Sequence, residues 1–149
     1  MVAAARRREA CRSQLRASAA SQSRDGTLRL FPWLPDGTKR ASFVRLRAVG
    51  AFVVTANYTA VYTAGGGGGR GGGGQVASPV MVQSDAGGLC EMEALAGWPA
   101  AAGVTVCDVA AGKSVPVAHG ADAEGRRLWR FGTSAAGEYR VARGGSARC

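Results

Sequence analysis

The sequence lacks the features on which several classes of site depend. No stretch approaches the roughly 18 consecutive apolar residues that a membrane-spanning helix needs, so we expect no membrane partner. The chain has one histidine, His119, and no CxxC pair. It therefore offers no ligand set for structural zinc, and we expect no metal and no other cofactor. No G-x-S-x-G or comparable motif marks a nucleophile, and the sequence predicts no catalytic residue.

Acidic residues are also few, 10 against 19 lysines and arginines, which gives a net charge of +9. Residues 1–24 hold six arginines and one glutamate, so the remaining 13 basic and nine acidic residues carry only +4. A dedicated nucleic-acid binder clusters its basic residues to neutralise several phosphates at once. We therefore do not expect nucleic acid as the main partner, and an interaction through the arginine-rich segment is a second alternative.

Residues 1–24 form a basic leader. They are rich in arginine and serine and contain no uninterrupted apolar segment, a composition typical of an organelle transit peptide and not of a secretory signal. Residues 4–20 lack glycine and proline, but a helix of that length is marginal in water by itself. We predict a leader that is disordered or weakly helical, and the sequence does not fix the compartment.

From residue 27 onward, short apolar and β-branched runs alternate with turns that contain Gly, Pro or Asp, the pattern of an all-β domain. The spacing is typical of a sandwich. We predict an antiparallel β-sandwich over residues 25–143, followed by a tail at 144–149. The predicted strands are 27–31, 42–49, 51–62, 80–84, 90–94, 104–109, 114–118, 126–131 and 137–141.

Three of these strands carry more specific predictions. Residues 44–48 alternate apolar side chains with arginine, which predicts a half-solvated strand with its apolar residues on one face. Residues 51–54 are apolar at every position, which suits a central strand. Pro116 interrupts the run at 114–118, so we place that strand at a sheet edge.

A glycine run, GGGGGRGGGG at residues 65–74, lies where a hairpin connection is expected. A P-loop would need a following Lys and Ser or Thr, and an arginine-glycine RNA-binding segment would need more than the one repeat at Arg70. We predict a flexible insertion, since each doubling of loop length costs only about 0.6 kcal/mol.

The four cysteines, Cys11, Cys90, Cys107 and Cys149, allow three complete pairings, among which the sequence does not choose. A bridge between Cys90 and Cys107 would close a loop of about 17 residues and contribute about 3 kcal/mol. The alternative, which we favour, is that both are small buried thiols, because a core of this size needs no covalent staple.

Few residues are candidates for a functional site. Glu91 and Glu93 are two apart on one predicted strand, and a carboxylate pair is what glycoside hydrolysis needs, but neighbours of this kind usually form a solvated edge. Trp33 and Trp98 each stand beside a proline in a predicted loop, where they are candidates for carbohydrate stacking. Asn57 opens an N-glycosylation sequon, Asn-Tyr-Thr, which matters if the chain is secreted.

Residues 25–35, DGTLRLFPWLP, and 41–54, ASFVRLRAVGAFVV, resemble the C-terminal region of family 95 glycoside hydrolases, the α-L-fucosidase-like enzymes. The stretch PVMVQSDAGGLC at 79–90 continues the resemblance, which runs from about residue 21 to 141. It implies a β-sandwich that packs beside an (α/α)₆ barrel, and in that family the barrel holds the catalytic acid and base. None of those positions maps onto this chain.

The resemblance therefore predicts a non-catalytic accessory domain, or a fragment, of a glycosidase that acts on α-L-fucosides or α-L-galactosides. The catalytic barrel would be its partner. The alternative is a free-standing carbohydrate-binding β-sandwich module that uses Trp33 and Trp98.

Overall fold

The computed structural model describes residues 21–24, 26–32, 34, 38–60, 74–77, 79–95, 97–98, 103–144 and 149. Within these residues the protein is all-β and contains no helix, as the sequence predicts. The predictions for residues 1–20, for the glycine run at 65–73 and for most of the tail fall outside the described residues.

The described strands are short, and successive strands are joined mostly by tight turns. In chain order they are β1 Ser21–Arg24, β2 Thr27–Leu30, β3 Arg40–Ala48, β4 Phe52–Ala60, β5 Gly74–Val76, β6 Val80–Ser84, β7 Gly88–Glu93, β8 Val104–Asp108, β9 Lys113–Val115, β10 Ala118–Ala121, β11 Arg127–Thr133 and β12 Gly137–Arg143.

The strands form two sheets. One has five strands in the order β1-β2-β7-β11-β10, and the other has seven, in the order β3-β4-β6-β12-β8-β9 with β5 paired to β4. Every pairing is antiparallel except a short parallel contact between β2 and β7. The predicted antiparallel sandwich is confirmed, with this one parallel pair as an addition.

Alternate side chains of both sheets point into a shared core, because successive residues of a strand face opposite sides of the sheet. Tyr139 of the seven-stranded sheet packs against Phe131 of the five-stranded sheet, with ring centroids 6.0 Å apart. The most deeply buried side chains of this core include Leu28, Val54, Val76, Val80, Val82, Cys90, Met92, Val106, Phe131 and Val141.

The first described strand, β1, lies inside the segment that the sequence analysis assigned to the leader. Ser21 pairs with Leu30 and Arg24 pairs with Thr27, so β1 and β2 form a hairpin whose turn includes Gly26. Gly26 has a φ of 82°, which suits a two-residue hairpin turn. Residues 21–24 thus pair with the sandwich and do not belong to the leader, and the Asp-Gly dipeptide is the sequence signal for the hairpin.

A β-bulge in β3 changes the predicted alternation. The register with β4 shifts between Phe43 and Leu46, and Arg45 has a φ of 54°. Two residues, Val44 and Arg45, therefore stand opposite Thr55, and both face outward. Val44 is 74% exposed, so the prediction that it shares the inward face of Leu46 is wrong.

The predictions of a central strand at 51–54 and of an edge strand at 114–118 agree better with the structure. Residues 52–54 of β4 are all buried, and β4 lies between β3 on one side and both β5 and β6 on the other. The predicted strand at 114–118 divides at Pro116 into β9 and β10, which lie at the edges of different sheets. Proline cannot donate to a sheet ladder, which explains both the break and the edge positions.

The bulge predicts that Val→Ala substitutions on two adjacent strands change stability by very different amounts. Val54→Ala removes a fully buried side chain and should lower the free energy of unfolding by about 1.5–3 kcal/mol. Val44→Ala, at an exposed position, should change it by no more than about 0.5 kcal/mol. Urea unfolding followed by tryptophan fluorescence measures both, and equal losses would contradict the outward orientation of Val44.

Candidate functional site

The outer face of the five-stranded sheet carries a group of charged and polar side chains joined by hydrogen bonds and ion pairs. Thr27 of β2, Glu91 of β7 and Arg130 of β11 are partners in adjacent strands, so the pleat turns all three to the same side. Arg29 and Glu93 stand on the same face, one alternate position further along β2 and β7. We call these five residues the outer polar cluster.

Glu91 is the centre of this cluster, and both of its carboxylate oxygens are occupied. Thr27 Oγ1 donates a hydrogen bond to Oε1 at 2.9 Å, and Arg130 Nε donates to Oε2 at 2.5 Å. Arg130 lies across Gly120 of β10, where a Cβ atom would stand 2.7 Å from Arg130 Nη1. The guanidinium therefore reaches Glu91 over a position that has no side chain.

These contacts shift the pKa of Glu91. The hydrogen bonds from Arg130, and then from Thr27, hold the pKa of the Glu91 carboxyl below its ordinary value. A glycosidase needs one carboxyl with a raised pKa as its general acid. Glu93 lies 3.1 Å from Arg29 Nε and is also paired with a cation. Glu91, held by Thr27 and Arg130, joins three strands, and its lowered pKa does not suit the general-acid role.

The turn between β10 and β11 adds further charges beside the cluster. Asp122 Oδ1 accepts hydrogen bonds from the backbone N–H of Glu124 at 3.0 Å and of Arg126 at 2.8 Å. The Arg126 side chain bonds Asp122 Oδ2 at 2.5 Å and Glu124 at 2.6 Å. Burial raises the pKa of Asp122, but the hydrogen bonds from Arg126 and Glu124 outweigh it, so the pKa lies below its ordinary value.

The charge network of this turn is not predicted from the sequence. The sequence feature that could have indicated it is Asp122 in a turn, because an aspartate there often accepts hydrogen bonds from backbone N–H groups a few residues later, as in an Asx-turn. The arginine partners of Glu91 and Glu93 were not identifiable either, because the pairing depends on strand register.

Of the two tryptophan candidates, Trp98 is buried. Its side chain is only 3% exposed, and its indole N–H donates to the Val76 carbonyl at 2.8 Å. The ring packs on Trp129 with centroids 5.6 Å apart, and the Arg143 guanidinium lies 5.9 Å from the ring centroid. Trp98 is thus part of the core, which corrects the prediction of a sugar-stacking side chain. Trp33 lies outside the described residues.

The cysteines pair differently from the bridge that the sequence analysis considered. Cys107 forms a disulfide with Cys149, 42 residues further along the chain, and Cys90 is a buried free thiol. Cys90 points into the core from β7, whereas Cys107 lies on the outer face of β8 in the other sheet, so the two face away from each other. A Cys90–Cys107 bridge is therefore wrong, and only Cys90 is the buried thiol that we favoured.

The Cys90 thiol has no nucleophilic role in this structure. Burial, and then the nearby Glu91 charge, raises the pKa of Cys90 to about 12. The thiolate is the reactive form of cysteine, so a thiol with this pKa is inert at neutral pH.

Four turns gather at one end of the sandwich, and we call this region the turn end: residues 49–51, 85–87, 109–112 and 134–136. The Asp85 N–H bonds the Ala51 carbonyl at 2.8 Å, and the Val109 N–H bonds the Glu138 carbonyl at 2.9 Å. Gly87 has a φ of 76°, and a Cβ there would stand 2.8 Å from the Ala135 nitrogen, so this contact requires glycine.

Exposed large hydrophobic side chains concentrate near the turn end. Val49 is 58% exposed, Leu89 64% and Val109 48%, and all three lie in or beside its turns. Among the described residues, the other exposed hydrophobic of this size is Val44, in the bulge of β3.

A cavity of about 290 Å³ opens on the outer face of the seven-stranded sheet, beside the Cys107–Cys149 disulfide. Its charged side chains are Asp108 and Arg140. Asn57, the sequon residue, is exposed on β4 of the same sheet.

Within the described residues, no group of three or more His, Cys, Asp or Glu side chains is placed to hold a metal ion. No helix in that part of the chain is long and apolar enough to cross a membrane. No protein-family model matches the sequence, and no curated protein matches it.

The depressed pKa of Glu91 predicts an acid-dependent loss of stability. Because the folded-state pKa lies below the ordinary value of 4.5, the stabilisation is complete above that value and is lost as the pH falls through the lower folded value. Glu91→Gln should lower the free energy of unfolding at pH 7 by about 1.5 kcal/mol. It should also reduce the fall in stability between pH 5 and pH 2, measured by urea unfolding at each pH.

Glu138→Gln makes the same chemical change at an exposed position on β12 and serves as the control. Its effect at pH 7 should stay within about 0.5 kcal/mol. An acid dependence of Glu91→Gln identical to that of the parent chain would contradict the role assigned to the outer polar cluster.

Proposed function

We propose that this chain is a non-catalytic C-terminal accessory domain, or a fragment, of an α-L-fucosidase-like glycoside hydrolase, and that it packs against a catalytic (α/α)₆ barrel. The family in this proposal rests on the sequence resemblance, and the state of the carboxylate pair supports the non-catalytic role. Glu91 and Glu93 are each held by an arginine, and the pKa of Glu91 is lowered and not raised. Hydrolysis would then belong to residues outside this chain.

The position of the family-like segments supports a structural role. The segments at 26–32 and 41–54 correspond to β2, β3 and β4, and the segment at 79–90 corresponds to β6 and the start of β7. These strands supply core residues such as Leu28, Val54 and Val82. The resemblance therefore concerns residues that pack the sandwich.

The turn end is the surface that we assign to the barrel. Three exposed hydrophobic side chains, Val49, Leu89 and Val109, lie in or beside its turns, and backbone hydrogen bonds join these turns to the neighbouring chain. A preorganised surface loses little conformational entropy when it docks. The outer polar cluster is a weaker candidate for docking, because its charges are already paired and would have to be desolvated.

The alternative, a free-standing carbohydrate-binding module, now depends on Trp33 by itself, because Trp98 is in the core. A nucleic-acid role depends on the leader and Arg70, which lie outside the described residues.

The size of the native product tests the proposal. An antibody raised against residues 76–143 should detect, in an immunoblot of the source tissue, a band far larger than 15.2 kDa. The purified chain should release no sugar from α-L-fucosides or α-L-galactosides. A single native band near 15 kDa would favour the free-standing module. Hydrolysis by the purified chain that is lost in Glu91→Gln would overturn the accessory role.

The assignment of the turn end has its own test. Without its barrel, the purified chain should self-associate in sedimentation velocity, because exposed hydrophobic groups favour association. Leu89→Asp combined with Val109→Asp should shift the equilibrium toward monomer. Val44→Asp, which adds the same charge at an exposed hydrophobic away from the turn end, should not. A parent chain that is monomeric at every concentration, or an equal effect of Val44→Asp, would count against the assignment.

A further inference from the structure

The sequon at residues 57–59 lies on β4, and the pleat of that strand sorts its three side chains. Tyr58 turns inward and packs against Phe31, with ring centroids 5.7 Å apart. Asn57 and Thr59, on either side of it, are exposed. The inward tyrosine fixes the strand, so the Asn57 amide points away from the sandwich on the outer face of the seven-stranded sheet.

The direct neighbours of Asn57 on that face are small, and the larger Arg40 and Val44 at the diagonal positions of β3 are themselves exposed. Its partner on β3 is Ser42, which is exposed, and the alternate positions on β4 are Thr55 and Thr59. On its other side, the ladder is interrupted between β5 and β6, where the Ala77 N–H bonds the Asn57 carbonyl at 2.7 Å and Pro79 is exposed. Asn57 is itself exposed and its direct partners are small, so the face has room for a bulky substituent.

A second, independent observation concerns the redox environment. Cys107 and Cys149 are joined in a disulfide, and disulfides form and persist in oxidising compartments such as the endoplasmic reticulum lumen. N-glycosylation of an Asn-X-Thr sequon is a modification of proteins that pass through that route. One compartment would supply both modifications.

We propose that Asn57 carries an N-linked glycan on the outer face of the seven-stranded sheet. In the transfer step, the Asn57 side-chain nitrogen forms a bond to C1 of the first sugar of a lipid-linked oligosaccharide. The bond between that C1 and the pyrophosphate oxygen breaks, the lipid pyrophosphate leaves with the electron pair, and the amide nitrogen loses one proton. The Thr59 hydroxyl completes the sequon.

The glycan would also keep a partner domain off the outer face of the seven-stranded sheet. This consequence depends on the function proposed above. Asn57 is five residues along β4 from Phe52, about 17 Å from the turn end. A glycan there occupies the outer face of the seven-stranded sheet and leaves Val49, Leu89 and Val109 accessible.

The test uses the full chain secreted from eukaryotic cells behind a heterologous signal peptide, with the cell-retained pool analysed in parallel. Digestion with peptide N-glycosidase should increase the gel mobility of the parent chain and convert Asn57 to Asp in the peptide map. Asn57→Gln and Thr59→Ala should abolish the shift, whereas Thr59→Ser, which keeps the sequon, should retain it. A non-reducing map of the same sample should show the Cys107–Cys149 peptide pair.

Two outcomes would overturn the proposal. One is a chain that contains the Cys107–Cys149 disulfide but shows no glycosidase-sensitive shift in either pool. The other is a glycosidase-sensitive shift that persists in Asn57→Gln, because the modified residue would then not be Asn57. Neither outcome depends on the native size of the protein or on a barrel, so failure here is distinct from failure of the accessory role.

Discussion

Two sheets share one core, and the pleat of each strand therefore assigns every side chain either to that core or to an outer face. This constraint determines most of what the chemically active residues do. Cys90 and Tyr58 fall on inward positions and become packing residues. Glu91, Cys107 and Asn57 follow or precede an inward residue by one position and fall on the outside. Whether each of these residues packs in the core or faces outward thus depends on its alternate position along the strand.

The five-stranded sheet shows how an outward position becomes structural. Its central strand, β7, joins β2 in parallel and β11 in antiparallel orientation, and the parallel contact spans only two residue pairs. The hydrogen bonds from Thr27 and Arg130 to Glu91 connect all three strands at this short contact. The Glu91 carboxylate, a group of the kind that a hydrolase uses for proton transfer, here stabilises the ladder between β2 and β7, the shortest of its sheet. The same hydrogen bonds lower the pKa of that carboxyl, because they favour its ionised form.

The sequence predicts the strands of this fold well where local alternation and turn residues agree. Residues 80–84 match β6 residue for residue, and the break at Pro116 follows from its missing N–H. β5 was missed because three residues beside a glycine run have no period to detect. The bulge at Val44 was missed because one inserted residue reverses the facing of a strand without any change in composition.

The site residues were harder to predict than the strands, because their roles depend on long-range pairing. The proline beside Trp98 predicts a loop position, but a loop position does not determine exposure. The large apolar surface of the indole is buried, and its N–H donates to the Val76 carbonyl. Cysteine spacing placed Cys90 near Cys107 in sequence, but a bridge requires side chains that point toward each other. Cys149 reaches Cys107 across the outer face, a contact that only the folded chain reveals.

The surfaces of the sandwich divide into regions with different physical properties, and this division supports one reading of function. The outer polar cluster presents paired charges whose desolvation would cost free energy on docking. The other outer face presents the exposed Asn57 amide beside Ser42 and two threonines, which suits a solvated substituent. The turn end combines exposed hydrophobic side chains with hydrogen-bonded turns. Within the described residues, this combination is the observation on which the proposed docking of a partner domain rests.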